Sequence, residues 1–139
     1  MHDVTNIGID AEGNYGVSPN AANDQARNGI IKNNLTYNCI SPYATSGGLY
    51  IDGAKNVVLE NNISYHNGYG IEVGCEIVGK STDSIIIRNN IFYDNQICGI
   101  ALGGYAYPSG SGKVTNSSVR NNTCYKDNYT NSEALQQLF

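Results

Sequence analysis

The sequence predicts an all-β fold, a right-handed single-stranded parallel β-helix of about four to five coils. Three observations carry that expectation. An Asn-Asn-x-x-Tyr unit occurs four times, as NNLTY from Asn33, NNISY from Asn61, NNIFY from Asn89 and NNTCY from Asn121. A short run of strand-forming residues precedes every copy, and a glycine-bounded strand signal follows the first three. Copies at a near-constant period mark a stacked repeat, because one such unit cannot bury its apolar face without a neighbour.

The second asparagines are Asn34, Asn62, Asn90 and Asn122, so the steps are 28, 28 and 32 residues. The tyrosine follows three positions later each time: Tyr37, Tyr65, Tyr93 and Tyr125. The runs ahead of the pairs read GIIK, VVLE, IIIR and SSVR. They have strand length and no helical period. Their third residue is always apolar (Ile31, Leu59, Ile87, Val119) and their fourth always charged (Lys32, Glu60, Arg88, Arg120). Successive strand side chains point to opposite faces, so the first set enters a core and the second faces solvent. Opposite charges on neighbouring strands then read Lys32, Glu60 and Arg88 as a surface charge ladder.

The third strand of each coil is GLYIDG from Gly48, GIEVG from Gly70 and GIALGG from Gly99. GIDAEG, from Gly8, reads as the same strand of an incomplete first coil. Glycines and asparagines mark the corners between strands. Parallel connections take the common right hand. Stacking coils about 4.8 Å apart sets each residue over its counterpart. Corner asparagines tolerate left-handed backbone angles, and their amides both donate and accept. Asn34, Asn62, Asn90 and Asn122 are therefore predicted to form an internal hydrogen-bonded ladder, with the four tyrosines as an aromatic stack beside it.

The 139 residues make one domain, 1–139. The tail SEALQQLF, residues 132–139, is expected to cap the C-terminal end, with Ser132 as N-cap and Leu135, Leu138 and Phe139 over the core. Nothing ahead of Gly8 has a comparable apolar pattern. The N-terminal coil end is therefore expected to be the adhesive one and to pair in a homodimer.

Twelve acidic and eight basic residues give a net charge of −4. With no basic patch, nucleic acid is not an expected partner. No apolar run has the length of a membrane-spanning helix. MHDVTNIGID lacks the charged and apolar regions of a signal peptide. Cys39, Cys75, Cys98 and Cys124 form no C-x-x-C pair and no metal-ligand spacing, so they read as small buried side chains. His2 and His66 are the two histidines, and no hydrolase, metalloprotease or phosphate-loop motif is present.

Aligning the third strands by their apolar residues stacks Ile9, Leu49, Ile71 and Ile100, and likewise Ala11, Ile51, Val73 and Leu102. Between them Asp10, Tyr50, Glu72 and Ala101 face outward. Glu12 and Asp52 come one residue beyond the second apolar column, and Glu76 follows in the loop GCEIVGKSTD. One exterior face thus gathers Asp10, Glu12, Asp52, Glu72 and Glu76 around Tyr50. Oxygen ligands at this density suit Ca²⁺, and a solvated acidic face is the alternative.

The pattern V-x-x-E-N-N-I-x-Y followed by G-I-x-V-G, spelled here by VVLENNISY and GIEVG, resembles the parallel β-helix repeat of the pectate-lyase superfamily. The resemblance runs from about Gly8 to Tyr125. It implies a pectin-lyase-like fold, a carbohydrate-associated function, export from the cell, and a substrate groove on the acidic face. It also implies calcium as the bridge between acidic side chains and a uronate. By the same likeness Lys80 becomes the catalytic candidate, the base that takes the proton α to a uronate carboxyl. Tyr50, Glu72 and, from the loop GGYAYPSGSGK, Tyr105 and Tyr107 become candidate contacts to a bound polysaccharide or oligosaccharide. The superfamily's Asp-Pro-His epimerase signature and the paired aspartates of its polygalacturonases are absent. A non-catalytic structural or assembly module is therefore the second expectation.

Overall fold

The β-branched runs form strands, and like strands from successive repeats stack in parallel. The computed structural model of the protein describes residues 1–44, 46–103 and 112–128. The first sheet holds β1 (Ile9–Glu12), β4 (Gly47–Asp52), β7 (Tyr69–Gly74) and β10 (Cys98–Leu102), in that order. In the second, β2 (Arg27–Lys32), β5 (Lys55–Glu60) and β8 (Ser81–Arg88) lie side by side, with β11 (Lys113–Thr115) and β12 (Ser118–Arg120) both on β8. The third stacks β3 (Leu35–Tyr37), β6 (Ile63–Tyr65), β9 (Ile91–Tyr93) and β13 (Thr123–Tyr125).

Each pairing is parallel and joins a strand to its copy one coil away. The complete turns are β2–β4, β5–β7 and β8–β10, flanked by β1 and by β11–β13. That is about three full turns, fewer than the repeat count suggests. The first coil contributes only its third strand, and the last has no third strand among the described residues. The predicted cap, 132–139, lies outside the described residues. Among them, no helix is long and apolar enough to cross a membrane.

The predicted third-strand alignment is the observed register: Ile9, Leu49, Ile71 and Ile100 form one column, and Ala11, Ile51, Val73 and Leu102 the next. With Val57, Leu59, Ile85, Ile87 and Phe92 these residues fill the interior, except Leu102, which is 37% exposed at the end of its column. Burying each large aliphatic side chain is worth about 1.5–3 kcal/mol. On the outside of the second sheet, Arg88 Nε and Nη2 donate to Glu60 Oε2 at 2.8 and 2.6 Å, which forms one half of the expected charge ladder, while Lys32 is the register neighbour of Glu60 on its other side.

The asparagine ladder is present. Both the backbone N–H and the Nδ2 of Asn34 donate to Asn62 Oδ1, at 3.0 and 3.1 Å. Asn62 does the same to Asn90, at 2.9 and 2.9 Å, and Asn90 to Asn122, at 3.0 and 2.9 Å. The second Nδ2 proton of Asn62 goes to the Ile31 carbonyl and that of Asn90 to the Leu59 carbonyl, each at 3.0 Å. Both residues are 1% exposed, so full satisfaction is what makes them tolerable in the core. The two asparagines of each pair divide the work. The first (Asn33, Asn61, Asn89, Asn121) turns the corner at φ 54–56°, in the left-handed region, and the second supplies the rung.

A second ladder runs two residues beyond the tyrosines, through Cys39, Asn67, Asn95 and Asp127. The Cys39 N–H donates to Asn67 Oδ1 at 2.9 Å, and the N–H and Nδ2 of Asn67 donate to Asn95 Oδ1 at 3.1 and 3.3 Å. The preceding residues Asn38, His66, Asp94 and Lys126 take φ 51–55°. The same device, a left-handed residue followed by a rung, therefore builds both ends of the short third-sheet strands. Gly48 faces this ladder. A Cβ there would collide with Ser64 Oγ, Asn67 Nδ2 and Thr36 Oγ1.

The aromatic stack differs from expectation at both ends. Tyr37 and Tyr65 stack with centroids 5.1 Å apart, and Tyr65 and Tyr93 at 4.7 Å. His2 replaces the fourth tyrosine, 4.7 Å above Tyr37 and tilted by 4°. Tyr125 keeps register with Tyr93 but is 58% exposed, with Lys126 Nζ 5.2 Å from its centroid. The arm ahead of Gly8 also meets the first coil: His2 bridges Tyr37 in parallel, and the Ile40 N–H donates to the Val4 carbonyl at 3.3 Å.

Replacing Asn62 or Asn90 with Ala is expected to cost roughly 1–3 kcal/mol, because buried partners lose their hydrogen bonds. The loss should be smaller at Asn34 and Asn122, the half-buried ends of the column. Denaturant unfolding of the four variants checks this, and equal losses at all four would locate the stabilisation elsewhere.

Candidate functional site

Strand alternation sends Asp10, Tyr50 and Glu72 to the outside of the first sheet, where they are register neighbours on β1, β4 and β7. Glu12 and Asp52 pair two residues further along the same face. A simple solvated face would leave all of them wet. Yet Asp52 is 1% and Tyr50 7% exposed, so the expectation of an open acidic face is corrected there.

The segment after β1 contributes to that cover. Gly13 bridges Gln25 in antiparallel fashion, and Gln25 Nε2 and Asn14 Nδ2 both donate to the Gly53 carbonyl, at 2.6 and 2.9 Å. Asp24 ties the loop tip by accepting from the N–H groups of Gly16, Val17 and Ser18, at 2.7, 2.9 and 3.2 Å. This fold-back brings Tyr15 onto the acidic face, where its hydroxyl donates to Asp52 Oδ2. The same hydroxyl lies 3.4 Å from Glu76 Oε2. Tyr50 donates its hydroxyl to Glu76 Oε1 at 3.2 Å, and the Glu76 N–H donates to Asp52 Oδ1 at 3.0 Å. Tyr15, Asp52, Glu76 and Tyr50 thus form one hydrogen-bonded chain, running from Tyr15 to Asp52, from Asp52 to the Glu76 N–H and from Glu76 to Tyr50.

Burial, and after it the crowding of carboxyls, sets the electrostatics. Burial first, then the charges of Glu76 and Asp52, push Glu72 up to about 7. Asp10, although exposed at the edge of the face, also rises to about 7, by partial loss of water and then by the neighbouring charges of Glu12 and Asp52. Asp52 is raised by burial, against the opposing donors Tyr15 and the Glu76 N–H. Burial and the surrounding carboxyls hold the Tyr15 and Tyr50 hydroxyls firmly protonated, so both act as donors.

Asp10, Glu12, Asp52, Glu72, Glu76 and Tyr50 therefore do share one face, as the alignment predicts. Lys80 lies on the loop that carries Glu76, but its charge bears on Asp24 and Cys75, whereas Glu72 feels Glu76 and Asp52. Tyr105 and Tyr107 lie outside the described residues. Among those described, no group of three or more His, Cys, Asp or Glu side chains is arranged to hold a metal ion. Asp52 accepts hydrogen bonds at both oxygens, and Glu76 accepts from Tyr50 at Oε1. Tyr15 was not foreseen. It sits in GNYGVSPN, which has no period and no counterpart in later coils.

A family model described as right handed beta helix region matches residues 3–136. No curated protein and no solved structure matches the chain.

The Tyr15 hydroxyl favours ionised Asp52, so Tyr15→Phe should raise the Asp52 pKa further. Carbon-13 NMR of the carboxyl groups reads this directly. An unchanged Asp52 titration in the variant would mean that the Tyr15 contact contributes nothing.

Proposed function

Because the chain belongs to the right-handed beta helix family, we propose that it is a carbohydrate-associated protein that binds an acidic polysaccharide along the outer face of its first sheet. The observation that carries this reading is the row Asp10–Tyr50–Glu72. Two carboxyls pushed up to about 7 flank a tyrosine, one strand apart on each side. Strand spacing puts the two carboxyl-bearing backbones about 10 Å apart, the span of roughly two sugar units. Below pH 7 these carboxyls are largely neutral. A neutral carboxyl donates to a sugar hydroxyl or a uronate carboxylate instead of repelling it. Lys80, on the loop that carries Glu76, supplies positive charge for a uronate. Calcium enters only where the ligand's own oxygens complete the coordination. Carboxyls with raised pKa are also what general acid catalysis of glycoside cleavage uses, but binding asks less of the geometry.

A second reading, an assembly module, is favoured by the third sheet. Leu35, Ile63 and Ile91 form one outward column, exposed by 47%, 37% and 43%. Such a stripe suits protein contact, and a homodimer through the first coil would extend it.

Titration calorimetry with uronate and neutral oligosaccharides, with and without calcium, separates the readings. Uronate binding is expected at pH 5.5 and should weaken at pH 8.5, as Asp10 and Glu72 ionise through about 7. Glu72→Gln, which cannot ionise, should retain more of its binding at the higher pH. Absence of heat with every sugar, together with a concentration-dependent mass in light scattering, would replace this reading with assembly.

A further inference from the structure

In the second ladder, Asn67 Nδ2 donates down the stack to Asn95 Oδ1, and back to the Thr36 carbonyl at 3.4 Å. Asn95 repeats the pattern, with Nδ2 donating to Asp127 Oδ1 at 2.8 Å and to the Ser64 carbonyl at 3.2 Å. Thr36, Ser64 and Phe92 are register partners in successive coils. The next rung is Asp127, and its Oδ2 stands where the other rungs carry Nδ2. Among the described residues this Oδ2 is buried and has no hydrogen-bond partner. The repeat places the Phe92 carbonyl as its counterpart, so two acceptors meet where the other rungs pair a donor with an acceptor. A proton on Oδ2 resolves the conflict.

We infer that Asp127 closes the second ladder as a neutral carboxylic acid, its Oδ2 proton standing in for an amide proton, so that the last coil is held by a proton-dependent latch. The surroundings agree. A Cβ on Gly99 would collide with both Oδ2 and Cys124 Sγ, so the β10 backbone lies hard against the carboxyl. The titratable groups facing it are Asp94 at the preceding corner, Cys98 on β10 and Cys124 on β13. None of these brings a positive charge. Lys126 reaches instead over the Tyr125 ring. Burial foremost, and Asp94 with it, raise the Asp127 pKa, against the two Asn95 donors on Oδ1 and a backbone donor at Tyr125.

The sign follows from linkage. A carboxyl raised in the folded state contributes fully below its ordinary value of 3.8, and that contribution is lost as pH climbs through the folded value. Asp127→Asn installs the amide used by the other rungs and cannot ionise. Wild type and variant are expected to melt alike near pH 4, and the variant to melt higher by pH 8. The carbon-13 carboxyl resonance of wild-type Asp127 should stay in its protonated position at pH values where solvent-exposed aspartates have ionised. Parallel melting profiles across pH, or an Asp127 resonance that titrates near 3.8, would overturn the inference. The resonance decides the matter even if the variant does not fold.

Discussion

Buried side-chain amides, hydrogen-bonded from each coil to the next, are the constraint on which this molecule depends. Asn62 and Asn90 use both amide protons, the side-chain oxygen and the backbone N–H within the stack. An apolar core of Ile, Leu and Val tolerates sliding, because dispersion and hydrophobic burial are not directional. A ladder does not. Shifting one coil by a residue would strand several buried polar groups at once, each at a cost of about 1–3 kcal/mol. The ladders therefore set the register, and the apolar columns fill it.

Register is what turns a repeat into a site. Because β1, β4 and β7 cannot slip, Asp10, Tyr50 and Glu72 are held in line across three strands. The carboxyls of this face lie near enough to raise one another's pKa, and the fold keeps them there. Their mutual repulsion is met by protons and by the hydroxyls of Tyr15 and Tyr50. Carboxyls in this state interact with a charged or hydroxylated ligand in a way that depends on pH near neutrality. That property comes first from loss of water at the sheet surface and then from the crowding of like groups on it, not from any one residue.

The two ladders differ in chemistry at their last described rungs. The first ends in Asn122, which keeps an amide and bonds to the Ile87 and Arg120 carbonyls. The second ends in Asp127, where an oxygen takes the place of a donor. The same fold thus carries one rung that is indifferent to pH and one that is not. The difference is a single atom in a buried position, where the low dielectric magnifies it.

Periodicity made the fold legible from the sequence alone. The spacing of Asn34, Asn62, Asn90 and Asn122, with an apolar then a charged residue ahead of each pair, determined the parallel stack and the first ladder, and the apolar alternation of the glycine-bounded strands determined the third-strand register. These features are local and repeated, so each copy confirms the next. The second ladder was written in the same period, but Cys39 and Asp127 break the run of asparagines around Asn67 and Asn95 and hid it. What only the tertiary structure decided lies where the chain leaves the repeat. The fold-back after β1 carries Tyr15 to Asp52 and helps to bury Asp52 and Tyr50 in the middle of a face whose Asp10, Glu12 and Glu76 stay exposed. His2 reaches the top of the tyrosine stack in the same way. Such contacts join segments far apart in sequence with no common period. Their geometry follows from the packing of the whole chain, which no single stretch of sequence encodes.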